Sequence, residues 1–283
     1  MKLLKVPLIF LIFSLFVSCG PEPKVVPARI QFQTDFKTAK AFAEKFNQPM
    51  IIDFYTDWCR WCKTLDTLTY VDSLVRAMSI DNIFVKINAE VDTGLARQYG
   101  ISGYPTIVIT KPSGEEIDRI WGFMPPADFY NQVQLYLQGQ ETLQDYLRRV
   151  EDEPRNMAYL NTIAEKYISR SQYTEALDFY GRVIAIDSLN ADGYASVALL
   201  AVADAKSRNK DFTGALDACN VILSKFPGSE DAEEAFALLG VYTSNMGDDA
   251  AALTHYRSYI EKYPNGKFID GVMNRIADLE GKL

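Results

Sequence analysis

Asp53-Phe54-Tyr55-Thr56-Asp57-Trp58-Cys59-Arg60-Trp61-Cys62-Lys63 carries an apolar run into a Cys-x-x-Cys pair. Met50 to Tyr55 is short and apolar enough for a buried strand. Its one acid, Asp53, is costly there unless it has a task or a partner; a solvated strand end is the alternative. A helix opening at Cys59 places the first sulfur beside unpaired backbone N–H groups and the positive end of the helix dipole, and both favour a thiolate. Arg60 and Lys63 add positive charge. Cys62, one turn into the helix, is expected to be the less exposed, so that Cys59 attacks and Cys62 resolves. Two rival readings of the pair are a structural disulfide and half of a zinc site. Zinc needs two further ligands, and the candidates are Cys219 and the lone His255, both far along the chain.

Outward from this stretch, Phe36, Ala39, Phe42, Ala43 and Phe46 recur at helical spacing and stop before Asn47-Gln48-Pro49. Downstream, Gly103-Tyr104-Pro105-Thr106 leads into an apolar strand, Ile107-Val108-Ile109, and a turn at Lys111-Pro112-Ser113-Gly114.

The segment 53–63 resembles the active-site segment of the thioredoxin superfamily. Its Asp-Trp-Cys-x-x-Cys-Lys form is similar to the C-terminal periplasmic domain of DsbD-type reductant transporters. The resemblance implies an α/β thioredoxin fold, a central mixed sheet flanked by helices, over residues 32–139. It also implies a strand at Asn82–Ile87, a short helix at Leu95–Tyr99 and a closing helix near Pro126–Leu137. By the same resemblance Pro105 is cis and faces the disulfide, leaving the backbone at Tyr104 free to pair with a substrate chain. Asp53 relays a proton for the resolving cysteine, and Trp58, Arg60 and Trp61 line the contact surface, with Trp58 the stronger candidate. Thioredoxins proper have Gly-Pro between the cysteines, where this chain has Arg60-Trp61. That dipeptide tunes potentials across about 150 mV, so the direction of electron flow stays open.

The N-terminus has its own pattern. Lys2 and Lys5 precede an apolar run from Pro7 to Val17 and then Ser18-Cys19-Gly20, which reads as a secretory signal over 1–18. The run is about half of the ~20 residues that a spanning helix needs. Phe16-Val17-Ser18-Cys19 resembles a bacterial lipobox, which implies lipid attachment at Cys19 and a periplasm-facing location in the cell envelope; an ordinary signal peptide with an incidental cysteine is the alternative. Residues 19–31, with Pro21, Pro23 and Pro27, form an extended tether. With Cys19 assigned to lipid, the four cysteines leave one close pair and Cys219, which is not a disulfide scaffold.

Beyond Gly139 the chain turns to helices with an internal period. Tyr173-Thr174-Glu175-Ala176-Leu177, Phe212-Thr213-Gly214-Ala215-Leu216 and Asp249-Ala250-Ala251-Ala252-Leu253 recur at spacings of 39 and 37, and Ser188, Pro227 and Pro264 each follow the alanine by twelve. Residues 140–283 are therefore similar to tetratricopeptide repeats, an all-α helical repeat domain, with Phe236, Leu239 and Gly240 at first-helix positions. Such repeats present a groove to a peptide or protein partner; packing on the first domain or supporting a dimer is the alternative. The formal charge of -8 is concentrated in this half, which argues against nucleic acid or anionic lipid as its ligand. Cys219 reads as a buried inert thiol.

The expected function is an exported, lipid-anchored protein thiol–disulfide oxidoreductase that leans towards reduction of protein disulfides. It uses no cofactor beyond the Cys59–Cys62 pair, because no NAD or flavin motif is present, and it is recharged by a membrane electron donor. A disulfide oxidase or isomerase and a non-catalytic repeat adaptor are the alternatives.

Overall fold

The computed structural model describes residues 25–281; the segment read as a lipoprotein signal, with Cys19, lies outside them. The first part contains α1 (Phe36–Phe46), β1 (Met50–Tyr55), α2 (Arg60–Thr64) running into a π-helical turn (Leu65–Thr69), α3 (Ser73–Met78), β2 (Ile83–Asn88), α4 (Thr93–Gln98), β3 (Thr106–Thr110), β4 (Glu116–Trp121) and α5 (Pro126–Leu137). The strands form one mixed sheet in the order β2-β1-β3-β4, with β1 parallel to β2 and antiparallel to β3, and β3 antiparallel to β4. Alternation along the strands divides the core between the two faces. Ile51, Phe84, Ile107 and Ile109 pack with Leu65, Val75, Phe129 and Val133 on one face. Ile52, Phe54, Val85 and Val108 pack with Ala39, Ala43, Leu95 and Tyr99 on the other. Each such aliphatic or aromatic side chain contributes about 1.5–3 kcal/mol when fully buried.

Strand β4 has no counterpart in the sequence reading. Its Glu116-Ile117-Asp118-Arg119-Ile120-Trp121 puts two adjacent charged residues, Asp118 and Arg119, in the buried class. These charges belong to the junction with the second part of the chain, and they mask the apolar alternation that marks a strand.

The second part is helical: α6 (Leu143–Asp152), α7 (Met157–Ile168), α8 (Tyr173–Ile186), α9 (Tyr194–Arg208), α10 (Phe212–Lys225), α11 (Ala232–Asn245), α12 (Asp249–Lys262) and α13 (Ile269–Glu280). The three alanines that carry the period, Ala176, Ala215 and Ala252, lie on α8, α10 and α12, and all are fully buried. Small side chains there let the paired helices approach closely. Two of these helices start with a capping aspartate: Asp211 accepts the Gly214 N–H at 2.9 Å and Asp248 the Ala251 N–H at 2.9 Å.

The two parts meet through an ionic network on β4. Asp118, with no exposed surface, accepts from Arg170 at 2.8 Å, Lys166 at 3.0 Å and the Leu143 N–H at 2.6 Å. Arg119 donates to the Ser169 carbonyl and to the Tyr99 carbonyl, both at 2.7 Å, while Glu116 pairs with Arg119 and with Arg170.

Candidate active site

The end of β1 and the start of α2 position the cysteine pair. Cys59 is the N-cap of α2, and its Sγ accepts the Cys62 N–H at 3.0 Å. The sulfur thus sits against one of the unpaired amides of a helix start, as the sequence suggests. Cys59 and Cys62 form a disulfide with their Cα atoms 5.3 Å apart. The expected difference in exposure is absent in this oxidised state, because Cys59 is 3% exposed and Cys62 2%.

Trp58 precedes Cys59 and Trp61 lies between the two cysteines; they are 67% and 55% exposed. Trp58 meets Tyr104 edge-on at 5.9 Å and donates its Nε1–H to Glu90 at 2.9 Å. Trp61 stacks on Phe123 at 5.6 Å. Arg60 is exposed on the first turn of α2. The Tyr104–Pro105 bond is cis, the Pro105 carbonyl accepts the Gly122 N–H at 2.9 Å, and Thr106 Oγ1 donates to the Gly103 carbonyl at 2.8 Å. The backbone amide and carbonyl of Tyr104 make no hydrogen bond among the described residues.

Asp53 lies in β1 on the same face as Ile51, and its cross-strand neighbour on β2 is Lys86. It is fully buried, which removes the solvated alternative, and neither carboxylate oxygen has a hydrogen-bond partner among the described residues. Lys86 Nζ stands 3.8 Å from Oδ2. The same ammonium pairs with Asp66 and lies over the rings of Phe32, Tyr55 and Tyr70 at 5.4, 5.0 and 5.8 Å. Burial pushes the Asp53 carboxyl up to about 7, with Lys86 acting in the opposite direction and Asp66 adding to the rise. A buried carboxyl that titrates near neutral pH can take up and release a proton under ordinary conditions.

Residues 33–134 match the family described as Thioredoxin, and residues 234–266 match the family described as Tetratricopeptide repeat. The thioredoxin of Mycoplasma pneumoniae is 36% identical over 97 residues, which cover 33% of this chain and 90% of that relative. The chain belongs to the thioredoxin family. Its thioredoxin domain is also similar to the thiol:disulfide interchange protein DsbD of Salmonella typhi, 30% identical over 119 residues, or 39% of this chain. The chain spans about a fifth of that relative's length, 21%. Among solved structures it is similar to DsbH oxidoreductase, with TM-score 0.37, 18% identity and coverage of 42% of this chain and 92% of that one. Another is MamA, with TM-score 0.42, 19% identity and coverage of 56% and 86%.

Several residues around the thioredoxin site carry no sequence signal of the kind the Cys-x-x-Cys supplies. Lys86 and Asp66 are isolated charges in sequence and meet Asp53 only in the fold. Trp121 and Phe123 flank Gly122, beside the cis peptide, and a hairpin read from the 111–114 turn would have pointed to them. Cys219, fully buried on α10, is remote in role from this site, and burial pushes its thiol up to about 12. His255 lies on α12, beside the buried Tyr256.

Proposed function

We propose that the protein is a thiol–disulfide oxidoreductase that reduces disulfides of other proteins. The Cys59 thiolate attacks one substrate sulfur and forms a mixed disulfide, releasing the other substrate sulfur as a thiolate. Cys62 then attacks Cys59 Sγ, which restores the Cys59–Cys62 disulfide and frees the second substrate thiol. Asp53 takes the Cys62 proton as that step begins. The observation that carries this reading is the position of Cys59 Sγ at the start of α2, on the Cys62 N–H, with an ionisable carboxyl fully buried in β1, the strand that leads into the pair.

Two electrons must be returned to the pair after each cycle. The reading assigns that to a membrane electron donor, with no cofactor bound to this chain, and it places the protein at the cell envelope through a lipid on Cys19. The helical repeats hold a protein or peptide partner. A groove between α11 and α13, floored by Leu238, Val241 and Val272 with Lys267 and Arg275 among its lining residues, supports that assignment.

Equilibration in glutathione buffers gives the potential of the pair. A value near the ~-270 mV of thioredoxin is expected, and one near the ~-120 mV of a strong oxidant overturns the reductive direction. Cys59→Ser is expected to abolish disulfide reduction, and a variant that keeps full activity overturns the enzymatic reading itself.

A further inference from the structure

The loop that carries Tyr104 and Pro105 is held from two sides. On one side lie β3 and β4 of its own domain. On the other lies the helical repeat domain. Ser171, after α7, donates its hydroxyl to the Gly100 carbonyl at 3.2 Å. A Cβ on Gly100, which has φ +60°, would fall 2.7 Å from the Arg170 carbonyl, so the two backbones approach closely only because this residue is glycine. Further along the loop, Gly103 lies under the indole of Trp121, where a Cβ would fall 2.6 Å from Nε1.

Trp121 is covered in turn by the repeats. The Arg208 guanidinium, at the C-terminal end of α9, stands 5.4 Å from the indole centroid. Asp204, one turn earlier, holds it there by accepting from Nε at 2.6 Å. The terminal guanidinium nitrogens make no hydrogen bond among the described residues, and Trp121 keeps 43% of its surface exposed. The order Gly103, Trp121, Arg208 is therefore one continuous stack from the cis-proline loop into the repeat domain.

We infer that the end of α9 is part of the substrate site: Arg208, laid over Trp121, forms an outer wall that receives the polypeptide flanking a substrate's disulfide. The inference rests on the oxidoreductase reading above. An extended chain that pairs with the free amide and carbonyl of Tyr104 adds a strand beside the 103–105 loop. The Pro105 carbonyl is already occupied by Gly122, so the neighbouring surface open to that chain is the indole of Trp121 and the donors of Arg208. The indole offers an apolar face to a side chain, and the guanidinium offers hydrogen bonds to main-chain carbonyls. A small disulfide brings no flanking polypeptide to this wall; a protein disulfide does. Arg208 is thus a substrate-binding residue, and through it the repeats discriminate among protein substrates.

The test uses the full chain, pre-reduced, in stopped-flow against two oxidants: insulin as a protein disulfide and dithiobis(nitrobenzoic acid) as a small one. Arg208→Glu is expected to raise the half-saturating insulin concentration about threefold to tenfold, as loss of one hydrogen bond to the substrate main chain predicts. The limiting rate, the rate with the small disulfide and the reduction potential are expected to stay at wild-type values. Arg208→Lys, which keeps a cation over the ring, is expected to recover most of the insulin affinity. If the charge reversal fails to fold, Arg208→Gln serves in its place. Unchanged insulin kinetics, or equal slowing with both oxidants, overturns the inference. A wild-type protein inert towards both oxidants overturns the oxidoreductase reading instead.

Discussion

Asp53 is a carboxyl fully buried inside a strand, beside a lysine that also serves Asp66. An unfolded chain releases an aspartate proton near pH 4, whereas folded Asp53 holds its proton to about 7. Between those values the folded state binds more protons than the unfolded one. The contribution of Asp53 to stability is therefore greatest below that window and falls as pH rises through it. Asp53→Asn is expected to stabilise the oxidised protein at pH 8 by up to about 4 kcal/mol and to change little at pH 4, read from urea titrations at the two pH values. An equal gain at both pH values would show that the carboxyl titrates normally. The same substitution is expected to slow the resolving step at least about tenfold, within the range for loss of a general base. The Cys59 adduct with a substrate would then accumulate and be visible by mass spectrometry. Cys219 is raised by burial as well: a fully buried thiol pushed up to about 12 is expected to escape alkylation until the chain unfolds.

At the scale of elements, Gly240 shows how a sequence signal and a packing demand coincide. It sits within α11, where glycine costs roughly 1 kcal/mol against alanine in an exposed helix. A Cβ there would fall on the Tyr256 ring of α12, which is buried at the helix crossing. Gly240→Ala is thus expected to lower stability by about 1–3 kcal/mol, as overpacking does, and thermal unfolding checks the sign. The elements legible from sequence were those whose own residues declare them: Met50–Tyr55 by its apolar run, α1 by its helical spacing, and α8, α10 and α12 by the recurring alanine. Cys59 and Cys62 were legible as a pair, and the family resemblance supplied the cis bond at Pro105 that the fold contains. Strand β4 was not legible, because its buried charges are neutralised by Lys166 and Arg170, which lie about 50 residues further along. No local pattern records a partner at that distance. The stack of Trp121 under Arg208 escaped for the same reason.

For the whole molecule, the question is whether the thioredoxin domain and the repeats unfold together. Asp118 accepts from Arg170, Lys166 and two main-chain amides, and Arg119 donates to carbonyls on both sides of the junction. Against the cost of burial, Arg170 and Lys166 hold the Asp118 carboxyl below the usual carboxylate range. Its contribution to stability is present above about pH 4 and is lost as pH falls through the lowered value. All three tryptophans, Trp58, Trp61 and Trp121, lie before residue 139; with Trp121 replaced by Phe throughout, because Arg208 of the repeats stands over it, the fluorescence of the other two reports the thioredoxin domain. Far-UV circular dichroism is dominated by the helices of the second half. In the wild type at neutral pH the two signals are expected to melt together, since the buried network couples both parts. Asp118→Asn leaves two cations facing a neutral group in a site closed to water, a change that typically costs about 3–5 kcal/mol. The two melting curves should then separate, with the repeat signal and the tryptophan signal following their own domains. Acidifying the wild type below the usual carboxylate range, through the lowered Asp118 value, should separate them in the same way by protonating Asp118. Curves that remain superimposed in the variant would mean that the apolar contacts at the junction couple the domains without the charges, and curves already apart in the wild type would mean that the network positions the repeats without making one cooperative unit.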